Sequence, residues 1–383
     1  MAAVQCPSGC ATCTSASSCQ TCIPGFNISG NATNLCSANI TTLAGNGTLG
    51  FGASGGAATS APLNLPMGVA GAKTTMWIAD SQNNVLRVVN TTSGITTIVA
   101  GNGTVGWSRD IGAATTTQLS GPRGLAYDYI QDFLYVADTG NHAIRVFIPA
   151  AGLLGTPCGT GVAGFAGDGG AVTAAQLNAP TAVARTITGS TWFIADSGNN
   201  RIRAVSVSTI STLAGTGVPG FGGDGGPANV SQLHTPMGVA ASESGLVFIA
   251  DTYNHRVRVV NASSGIISTL AGTGVPGSGG DNGPASAALL NAPTSVSVTY
   301  QGDLLFIADS GNSRVRAVNL VTGTIITVAG DGAAGFAGGL AVQAQLNSAT
   351  AVCFELMSSA ILIADTGNQR VRRVQTVVPV PGG

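Results

Sequence analysis

The 383-residue chain carries few charges: 8% of its residues are Asp, Glu, Lys or Arg, and the net charge is −1. Ordinary soluble domains are about a quarter charged. No basic tract is present, which argues against nucleic acid as a partner, because neutralising phosphates requires clustered Lys and Arg. The apolar runs of about five or six residues are far shorter than the roughly 20 residues of a membrane-spanning helix, so the sequence predicts no membrane span.

The first 38 residues are predicted to form a small disulfide-rich module. Six of the eight cysteines lie there: Cys6, Cys10, Cys13, Cys19, Cys22 and Cys36. This cysteine density is typical of segments too small for a core and made in an oxidising compartment. We expect three disulfides confined to these six residues. The pairing stays open among about fifteen possibilities, although close spacing favours Cys6–Cys13 or Cys10–Cys19 over Cys19–Cys22.

The chain is expected to be extracellular or at the cell surface. Met1–Val4 shows neither the basic nor the apolar region of a secretory signal, so we expect a mature or excerpted chain. Asn-x-Ser/Thr sequons, the acceptors of N-linked glycan in secreted proteins, begin at Asn27, Asn31, Asn39, Asn46, Asn90, Asn102, Asn229 and Asn261.

One phrase recurs six times with a period near 57 residues, which indicates a repeat architecture. Ile-Ala-Asp or Val-Ala-Asp is followed three residues later by Asn and seven residues later by Arg. The aspartates are Asp80, Asp138, Asp196, Asp251, Asp309 and Asp365, and the arginines are Arg87, Arg145, Arg203, Arg258, Arg316 and Arg372. A second phrase, close to Thr-Leu-Ala-Gly, ends at Gly45, Gly101, Gly159, Gly215, Gly272 and Gly330 and usually leads into a Gly-rich stretch.

Each repeat predicts four short strands, because β-branched residues alternate between turn signals. In the fourth repeat these strands are Met237–Ala240, Leu246–Ala250, Arg256–Val260 and Ile266–Ala271. Asn254 and its equivalents are predicted to take positive φ in one turn, and Gly265 and Gly323 serve the next turn. Four antiparallel strands repeated six times predict an all-β, six-bladed propeller over residues 39–376, followed by a Pro/Gly tail over 377–383. A solenoid is the alternative.

The two ends of the repeat array complement each other. Ile40–Gly45 carries the second phrase before any complete repeat, whereas the last repeat stops after Val374 without its own fourth strand. Ile40–Ala44 is therefore predicted to be the outer strand of the final blade, beside Arg370–Val374, which removes an open sheet edge.

The segments ADTYNHRVRVV around Asp251 and ADTGNQRVRRV around Asp365 resemble NHL repeats, named for an Asn-His-Leu stretch. His142 and His255 occupy the His position of that motif. The N-terminal CPSGCATCTSASSCQTC resembles furin-like or growth-factor-receptor cysteine repeats. NHL propellers also include RNA readers and kinase sensor heads, but this sequence has neither the basic face nor the kinase segment that these functions need.

The recurring Asp and Arg are expected to pair across a hairpin in every blade and to fix blade geometry. Asp168, Asp224 and Asp281 lie in GDGG or GDNG turns that could be mistaken for phosphate or calcium loops. These turns lack the following helix, the Lys and the clustered carboxylates of such sites, so they are interpreted as turns between blades.

Lactonases and lyases that resemble this architecture place metal ligands on the innermost strands. Those strands here begin at Met67, Arg123, Thr181, Met237, Thr294 and Thr350, and they contain almost nothing that binds metal or moves a proton. His234 precedes one of them and is the only His expected near the channel mouth. We therefore expect no metal, no cofactor and no catalysis. Cys158 and Cys353 are expected to be too far apart for a disulfide, with Cys353 buried and Cys158 either buried or exposed.

The leading functional hypothesis is a non-catalytic extracellular glycoprotein module that associates with itself, as a homopolymer or filament, or binds other extracellular proteins or glycans. The alternative is a hydrolase or lyase that uses the central channel. Placing twelve of the 31 charged residues in Asp–Arg pairs leaves few to solvate the surface of a monomer, and a net charge near zero favours association.

Overall fold

The computed structural model describes residues 10–15, 18–22, 38–72, 74–108 and 111–375, with only the backbone described for 10–15 and 18–22. In the repeat region six antiparallel sheets follow one another along the chain. The innermost strand of each sheet contacts that of the next, and the last contacts the first. The sheets therefore form a closed ring, which confirms the predicted six-bladed β-propeller and excludes the solenoid.

The strands are numbered along the chain, and each blade runs from its innermost to its outer strand. Blade one contains β5 (Pro66–Ala72), β6 (Thr75–Asp80), β7 (Val85–Asn90) and β8 (Ile95–Ala100). Blade two contains β10 (Pro122–Asp128), β11 (Phe133–Asp138), β12 (Ala143–Ile148) and β13 (Leu153–Cys158). Blade three contains β14 (Ala182–Arg185), β15 (Thr191–Asp196), β16 (Arg201–Ser206) and β17 (Thr209–Ala214).

The second half of the ring repeats this order. Blade four contains β18 (Pro236–Ala241), β19 (Leu246–Asp251), β20 (Arg256–Asn261) and β21 (Ile266–Ala271). Blade five contains β22 (Ser295–Val298), β23 (Leu304–Asp309), β24 (Arg314–Asn319) and β25 (Ile325–Ala329). Blade six contains β27 (Ala349–Glu355), β28 (Ala360–Asp365), β29 (Arg370–Gln375) and β3 (Asn39–Ala44). The four strands predicted for the fourth repeat all lie within β18 to β21.

The N-terminal strand closes the ring as predicted. Strand β3 pairs antiparallel with β29, with Ile40 opposite Val374 and Ala44 opposite Val371. The outer strand of blade six therefore comes from the start of the array, so the first and last blades are held together by backbone hydrogen bonds.

Three sheets contain a fifth, two-residue strand that the sequence did not predict. Strands β4 (Gly56–Ala57), β9 (Gly112–Ala113) and β26 (Gly339–Leu340) pair with the outer strands β8, β13 and β3. In the other three blades an isolated bridge, such as Pro227 with Ile266, lies at the same place. The connection that enters each blade thus passes along its outer edge and covers backbone groups that would otherwise be unpaired.

Turns and connections divide between two faces of the ring. The connections between blades and the turns between second and third strands lie on one side, the upper face. The turns between first and second strands and between third and fourth strands lie on the opposite side, the lower face. Each turn between the second and third strands is one turn of 3-10 helix followed by a residue in the left-handed region.

The residue with positive φ in the upper-face turn is not the one predicted. In blade four Asn254 ends the 3-10 turn, and His255 takes the left-handed conformation, with φ of 52°. Asn254 is held in the turn because its amide donates a 2.8 Å hydrogen bond to Asp251. Gly265 and Gly323 do have positive φ, 70° and 73°, in the lower-face turns, as predicted.

The hydrophobic core consists of six layers, one between each pair of neighbouring blades. Between blades one and two, for example, Trp77 and Leu86 pack with Leu134 and Phe147. Successive residues of a strand point to opposite faces of its sheet, so the middle strands are apolar on both faces, each against a neighbouring blade. None of the helices in the described ranges is long and apolar enough to cross a membrane.

The N-terminal segment contains two paired strands, β1 (Cys10–Ser15) and β2 (Ser18–Cys22). Their backbone register places Cys10 opposite Cys22 and Cys13 opposite Cys19. The side chains of these four cysteines, and Cys6 and Cys36 altogether, lie outside the described residues, so the disulfide module stays a prediction. Asn27, Asn31 and the tail over 377–383 also lie outside them.

Candidate functional site

A buried Asp–Arg pair crosses the hairpin of the second and third strands in every blade. The pairs are Asp80–Arg87 (2.7 Å), Asp138–Arg145 (3.0 Å), Asp196–Arg203 (3.2 Å), Asp251–Arg258 (3.4 Å), Asp309–Arg316 (3.5 Å) and Asp365–Arg372 (3.2 Å). All twelve side chains are at most 1% exposed. Charges buried this completely need several partners each, and the surrounding loops supply them.

The blade-four pair illustrates what each carboxylate holds in place. One oxygen of Asp251 accepts a 2.8 Å hydrogen bond from the backbone N–H of His234, in the connection that enters the blade. The other oxygen accepts from the Asn254 amide and from Arg258. Burial raises the pKa of Asp251, while these hydrogen bonds and the Arg258 charge oppose that rise. The carboxylate therefore joins the entering connection, the upper-face turn and the third strand.

Three of the buried arginines bind a second carboxylate. Each belongs to an aspartate that was predicted only as a residue of a turn between blades. Nη2 of Arg203 lies 2.5 Å from Asp168, Nη2 of Arg258 lies 2.6 Å from Asp224, and Nη2 of Arg316 lies 2.5 Å from Asp281. The three aspartates do lie in connections between blades, as interpreted, and are partly exposed. In the other blades a backbone carbonyl takes this place, as Gly52 does for Arg87. The sequence does carry a signal for these second carboxylates, because GDGG or GDNG occurs in only three of the six connections.

Aromatic rings of the connections cover arginines on the upper face. Phe221 lies 3.7 Å from the guanidinium carbon of Arg256 and 4.9 Å from that of Arg258. Phe165 and Phe336 cover the equivalent arginines of blades three and six at 3.7 to 4.8 Å. These contacts stabilise the cations while the outer side of each ring remains open to solvent.

The upper face also exposes a ring of apolar side chains. Five of the six connections present one Leu or Val near their start, each between 57% and 65% exposed: Leu49, Val105, Val162, Val218 and Val275. Four connections add an exposed Phe, namely Phe51, Phe165, Phe221 and Phe336. Because the pattern repeats around the ring, exposed apolar side chains surround the propeller axis on this face, and clusters of exposed apolar side chains mark interaction sites.

The upper part of the central channel is narrow. Each innermost strand has a small residue at equivalent positions near its start: Gly68, Gly124, Ala182, Gly238, Ser295 and Ala351. The backbone N–H of Gly124 donates a 2.9 Å hydrogen bond to the Thr181 carbonyl of the next blade. His234 does not line the channel cavity; its ring packs against Tyr253, with centroids 5.2 Å apart.

The channel encloses a cavity of about 200 Å³, lined from Gly68 and Gly238 near the upper face to Glu243 and Tyr300 at the lower face. Polar side chains that line it include Tyr127, Tyr129, Arg185, Glu243 and Tyr300. These residues were not predicted, because the channel prediction rested on the first residues of each innermost strand. They lie at the far ends of those strands or just beyond them.

The lower-mouth groups hold one another in place. Arg185 lies 3.2 Å from the buried carboxylate of Asp128 and donates to the Tyr135 hydroxyl at 3.2 Å. The Tyr127 hydroxyl donates to Asp132, and burial, reinforced by Asp132, raises the pKa of Tyr127. Among the described residues no three His, Cys, Asp or Glu side chains converge to hold a metal. The expectation of no metal and no catalysis stays a prediction.

All six sequons within the described residues have an exposed Asn: Asn39, Asn46, Asn90, Asn102, Asn229 and Asn261. Glycan attached there would extend into solvent. Whether these asparagines carry glycan stays a prediction.

Cys158 and Cys353 are both free thiols. Cys158 is fully buried on the outer strand of blade two, and burial raises the pKa of its thiol to about 12. Cys353 was expected to be buried and is only partly so: it packs against the core layer between blades six and one and also lines the channel cavity. Desolvation raises the pKa of Cys353 to about 11.

We expect neither thiol to react with iodoacetamide in the folded protein at pH 8, since the thiolate is the reactive form. Labelling of Cys158 should be at least about 100-fold slower than in urea, because each unit of pKa lowers the thiolate fraction tenfold. The raised pKa favours the thiol in the folded state. Ionisation of Cys158 should therefore have no effect on the free energy of unfolding below about pH 9, the ordinary pKa of a thiol. The free energy of unfolding should fall as the pH rises from 9 towards 12.

Peptide mass spectrometry after timed labelling measures the rates. Cys158→Ala is the matched control, and it should reduce the alkaline loss of stability; the part that remains comes from other buried groups with raised pKa values, such as Tyr127 and Cys353. Rapid labelling of native Cys158 would contradict the buried position.

Comparison with known proteins supports the repeat interpretation. The family profile described as "Teneurin NHL domain" matches residues 218–381, less than half of the chain, and the profile "NHL repeat" matches residues 119–147. Arabidopsis thaliana Protein SUPPRESSOR OF QUENCHING 1, chloroplastic, is 29% identical over 70% of this chain and 26% of its own length. Human NHL repeat-containing protein 2 is 28% identical over 68% of this chain and 39% of its own length. Mouse Teneurin-1 is 28% identical over 55% of this chain and 8% of its own length.

Solved structures share the fold at low identity. A Bacteroides thetaiotaomicron protein of unknown function superposes with a TM-score of 0.67, at 17% identity over 88% of this chain and 76% of that chain. A Xanthomonas campestris gluconolactonase gives 0.57 at 14% identity, over 92% and 94% of the two chains. A streptogramin B lyase gives 0.51 at 10% identity, over 90% and 100%. The chain spans two fifths or less of the curated relatives named above. The closed ring shows that this chain is a six-bladed β-propeller, and the profile matches and relatives show that it is similar to NHL-repeat proteins.

Proposed function

We propose that this chain is a non-catalytic module of an extracellular or cell-surface protein, and that it associates with further copies of itself through its upper face. The observation that carries the proposal is the ring of exposed apolar side chains on the inter-blade connections. A monomer would have to keep this surface in water with few charges around it. A second copy covers it without a change in fold.

Two features support the extracellular part of the proposal. Six exposed sequons are available for glycan, and the N-terminal segment concentrates six cysteines, as in secreted disulfide frameworks. The cysteine-rich segment directly precedes the closing strand β3 in the sequence, and as a disulfide-stapled module it would serve to connect neighbouring subunits.

A hydrolase or lyase that uses the channel is the alternative. The gluconolactonase and the lyase share the fold with this chain at 14% and 10% identity, and fold likeness does not carry over a catalytic site. The channel wall supports binding better than chemistry. The residues near the start of its innermost strands are Gly, Ala or Ser, and Arg185 at the lower mouth is already paired with Asp128.

Placing charges in the apolar ring should dissociate the assembly. The purified chain, treated to remove N-linked glycan, is expected to show a mass above 37.6 kDa in size-exclusion chromatography with light scattering. The double variant Val162→Asp and Val218→Asp should return it to the mass of one chain, because burying two unpaired carboxylates is strongly unfavourable. We expect at least a tenfold weaker self-association.

Two controls identify the contact. Val230→Asp, on a connection at the outer rim where Val230 is 64% exposed, should leave the mass unchanged. The double variant Val207→Asp and Val321→Asp changes exposed lower-face turns. It should disrupt a head-to-tail stack, in which upper faces contact lower faces, and leave a dimer of two upper faces intact. A wild-type chain that stays monomeric at high concentration after deglycosylation would refute self-association.

A further inference from the structure

The spaces between neighbouring blades near the lower face can be compared position by position, because the repeat makes them equivalent. In each space a side chain of a second strand faces the residue near the end of the innermost strand of the next blade. The facing pairs, in ring order, are Trp77 with Tyr127, Tyr135 with Arg185, Phe193 with Ala241, Phe248 with Val298, Phe306 with Phe354, and Leu362 with Gly71.

Large groups fill most of these spaces. Trp77 and Tyr127 stack with centroids 6.4 Å apart, and Phe306 stacks on Phe354 at 5.9 Å. The Tyr135 hydroxyl accepts a hydrogen bond from Arg185, and Val298 packs in the core layer that contains Phe248. At Gly71 the space belongs to Glu355, whose Cγ would lie 2.1 Å from a Cβ added to the glycine.

The space between blades three and four lacks such a filling group. Phe193 faces Ala241, and the residue beside Phe193 on the third strand is Ala204. Blades one, two and four have Val88, Val146 and Val259 at the Ala204 position. Blade five also has an alanine there, Ala317, but Phe354 compensates for it. The two small residues leave a crevice of about 390 Å³, within the roughly 300 to 1,000 Å³ of small-molecule sites.

The lining of this crevice is apolar at its base and acidic at its mouth. Phe193, Leu213 and Val247 form the base, and Thr188 and Glu243 lie at the mouth. Among the described residues that line it, Glu243 is the one with a charge. Its carboxylate accepts hydrogen bonds from the N–H of Ile187 at 2.5 Å, from the N–H of Thr188 at 3.4 Å and from the Thr188 hydroxyl. A carboxylate offers about four acceptor positions, so one remains for a ligand.

The lower-face turns of the ring as a whole carry more acids than bases in the described residues. Asp132, Asp303 and Glu355 lie in or beside the turns between first and second strands, as Glu243 does, whereas Arg185 is neutralised by Asp128. The electrostatic potential at the mouth therefore favours cations.

We propose that the crevice between blades three and four binds a small amphiphilic cation, with an apolar body beside Phe193, Ala204 and Ala241 and an ammonium group at Glu243. Burial of the apolar body provides the attraction, since a void lined by apolar groups accepts apolar ligands. The carboxylate gives preference for a cation over a neutral molecule of the same shape. This site is on the lower face and does not depend on self-association through the upper face.

The probes are hexylamine at pH 7, which is an ammonium ion, and its uncharged analogue 1-hexanol, measured by ligand-observed NMR titration of the full chain. Hexylamine is expected to bind saturably and more tightly than hexanol. Ala241→Phe, which copies Phe354, and Ala204→Val, which copies blades one, two and four, should each weaken hexylamine at least tenfold. Glu243→Gln should weaken hexylamine by about tenfold and leave hexanol unchanged.

Val298→Phe, the same change at the equivalent position between blades four and five, is the matched control and should leave binding unchanged. Thermal melting of every variant shows that it is folded. Saturable binding that survives both Ala241→Phe and Ala204→Val would overturn the site. Equal affinity for hexanol and hexylamine would overturn the cationic head. No binding of either probe, with Ala241→Phe raising stability, would identify the crevice as a packing void and overturn the proposal.

Discussion

Replacing Arg258 with Met should lower the free energy of unfolding by about 3 to 5 kcal/mol, the cost of leaving a buried charge without its partner. Arg258 is fully buried between Asp251 and Asp224 and donates to the Gln232 carbonyl. Methionine fills much of the volume but leaves the Asp251 carboxylate buried with only the His234 N–H and the Asn254 amide as partners. The entering connection and the upper-face turn should loosen together, since the pair joins them.

Arg256→Met is the matched control, two residues away on the same strand. Arg256 lies over Phe221 and is half-exposed, so its loss should cost about 0.5 to 1 kcal/mol. Urea unfolding followed by circular dichroism measures both. If the two variants lose the same stability, the buried pairs do not fix blade geometry, and the structural role predicted for the twelve residues is wrong.

Gly68→Ala should destabilise the ring by about 3 kcal/mol, at the upper end of the cost of overpacking a close contact. A Cβ on Gly68 would lie 2.0 Å from the backbone carbonyl oxygen of Arg123 in the next blade. Neither group is a flexible side chain, so two innermost strands must move apart. The φ of Gly68 is not positive, hence the effect is steric rather than conformational.

Ala182→Gly is the control at the equivalent position of blade three. It removes a methyl group where the chain already accepts one and should cost about 0.5 to 1 kcal/mol, through the greater freedom of Gly in the unfolded chain. Thermal unfolding of both variants tests the comparison. A Gly68→Ala protein as stable as the wild type would show that the innermost strands are not held at contact distance.

The strand order, the six blades and the closing strand could all be predicted, because they rest on local alternation and on one phrase repeated six times. The residue after Asn254 could not be assigned its left-handed conformation, because the hydrogen bond from Asn254 to Asp251 decides which residue of the turn takes it. The second carboxylates at Asp168, Asp224 and Asp281 were placed in the correct connections but not opposite their arginines. Those contacts span about 35 residues of chain and depend on how a connection folds back along the next blade.

By itself, the amino-acid sequence determined a closed, six-bladed, low-charge propeller with an Asp–Arg pair across a hairpin of each blade, since period, alternation and residue type are local properties of the chain. Tertiary structure decided which side chains meet between blades. The contacts of the lower mouth and the crevice left by Ala204 and Ala241 arise where two repeats face each other, whereas the apolar ring of the upper face arises because ring closure brings the connections to one side. Each repeat is regular alone, and a site appears where neighbouring repeats differ in side-chain volume, a difference that acts only once the ring has closed.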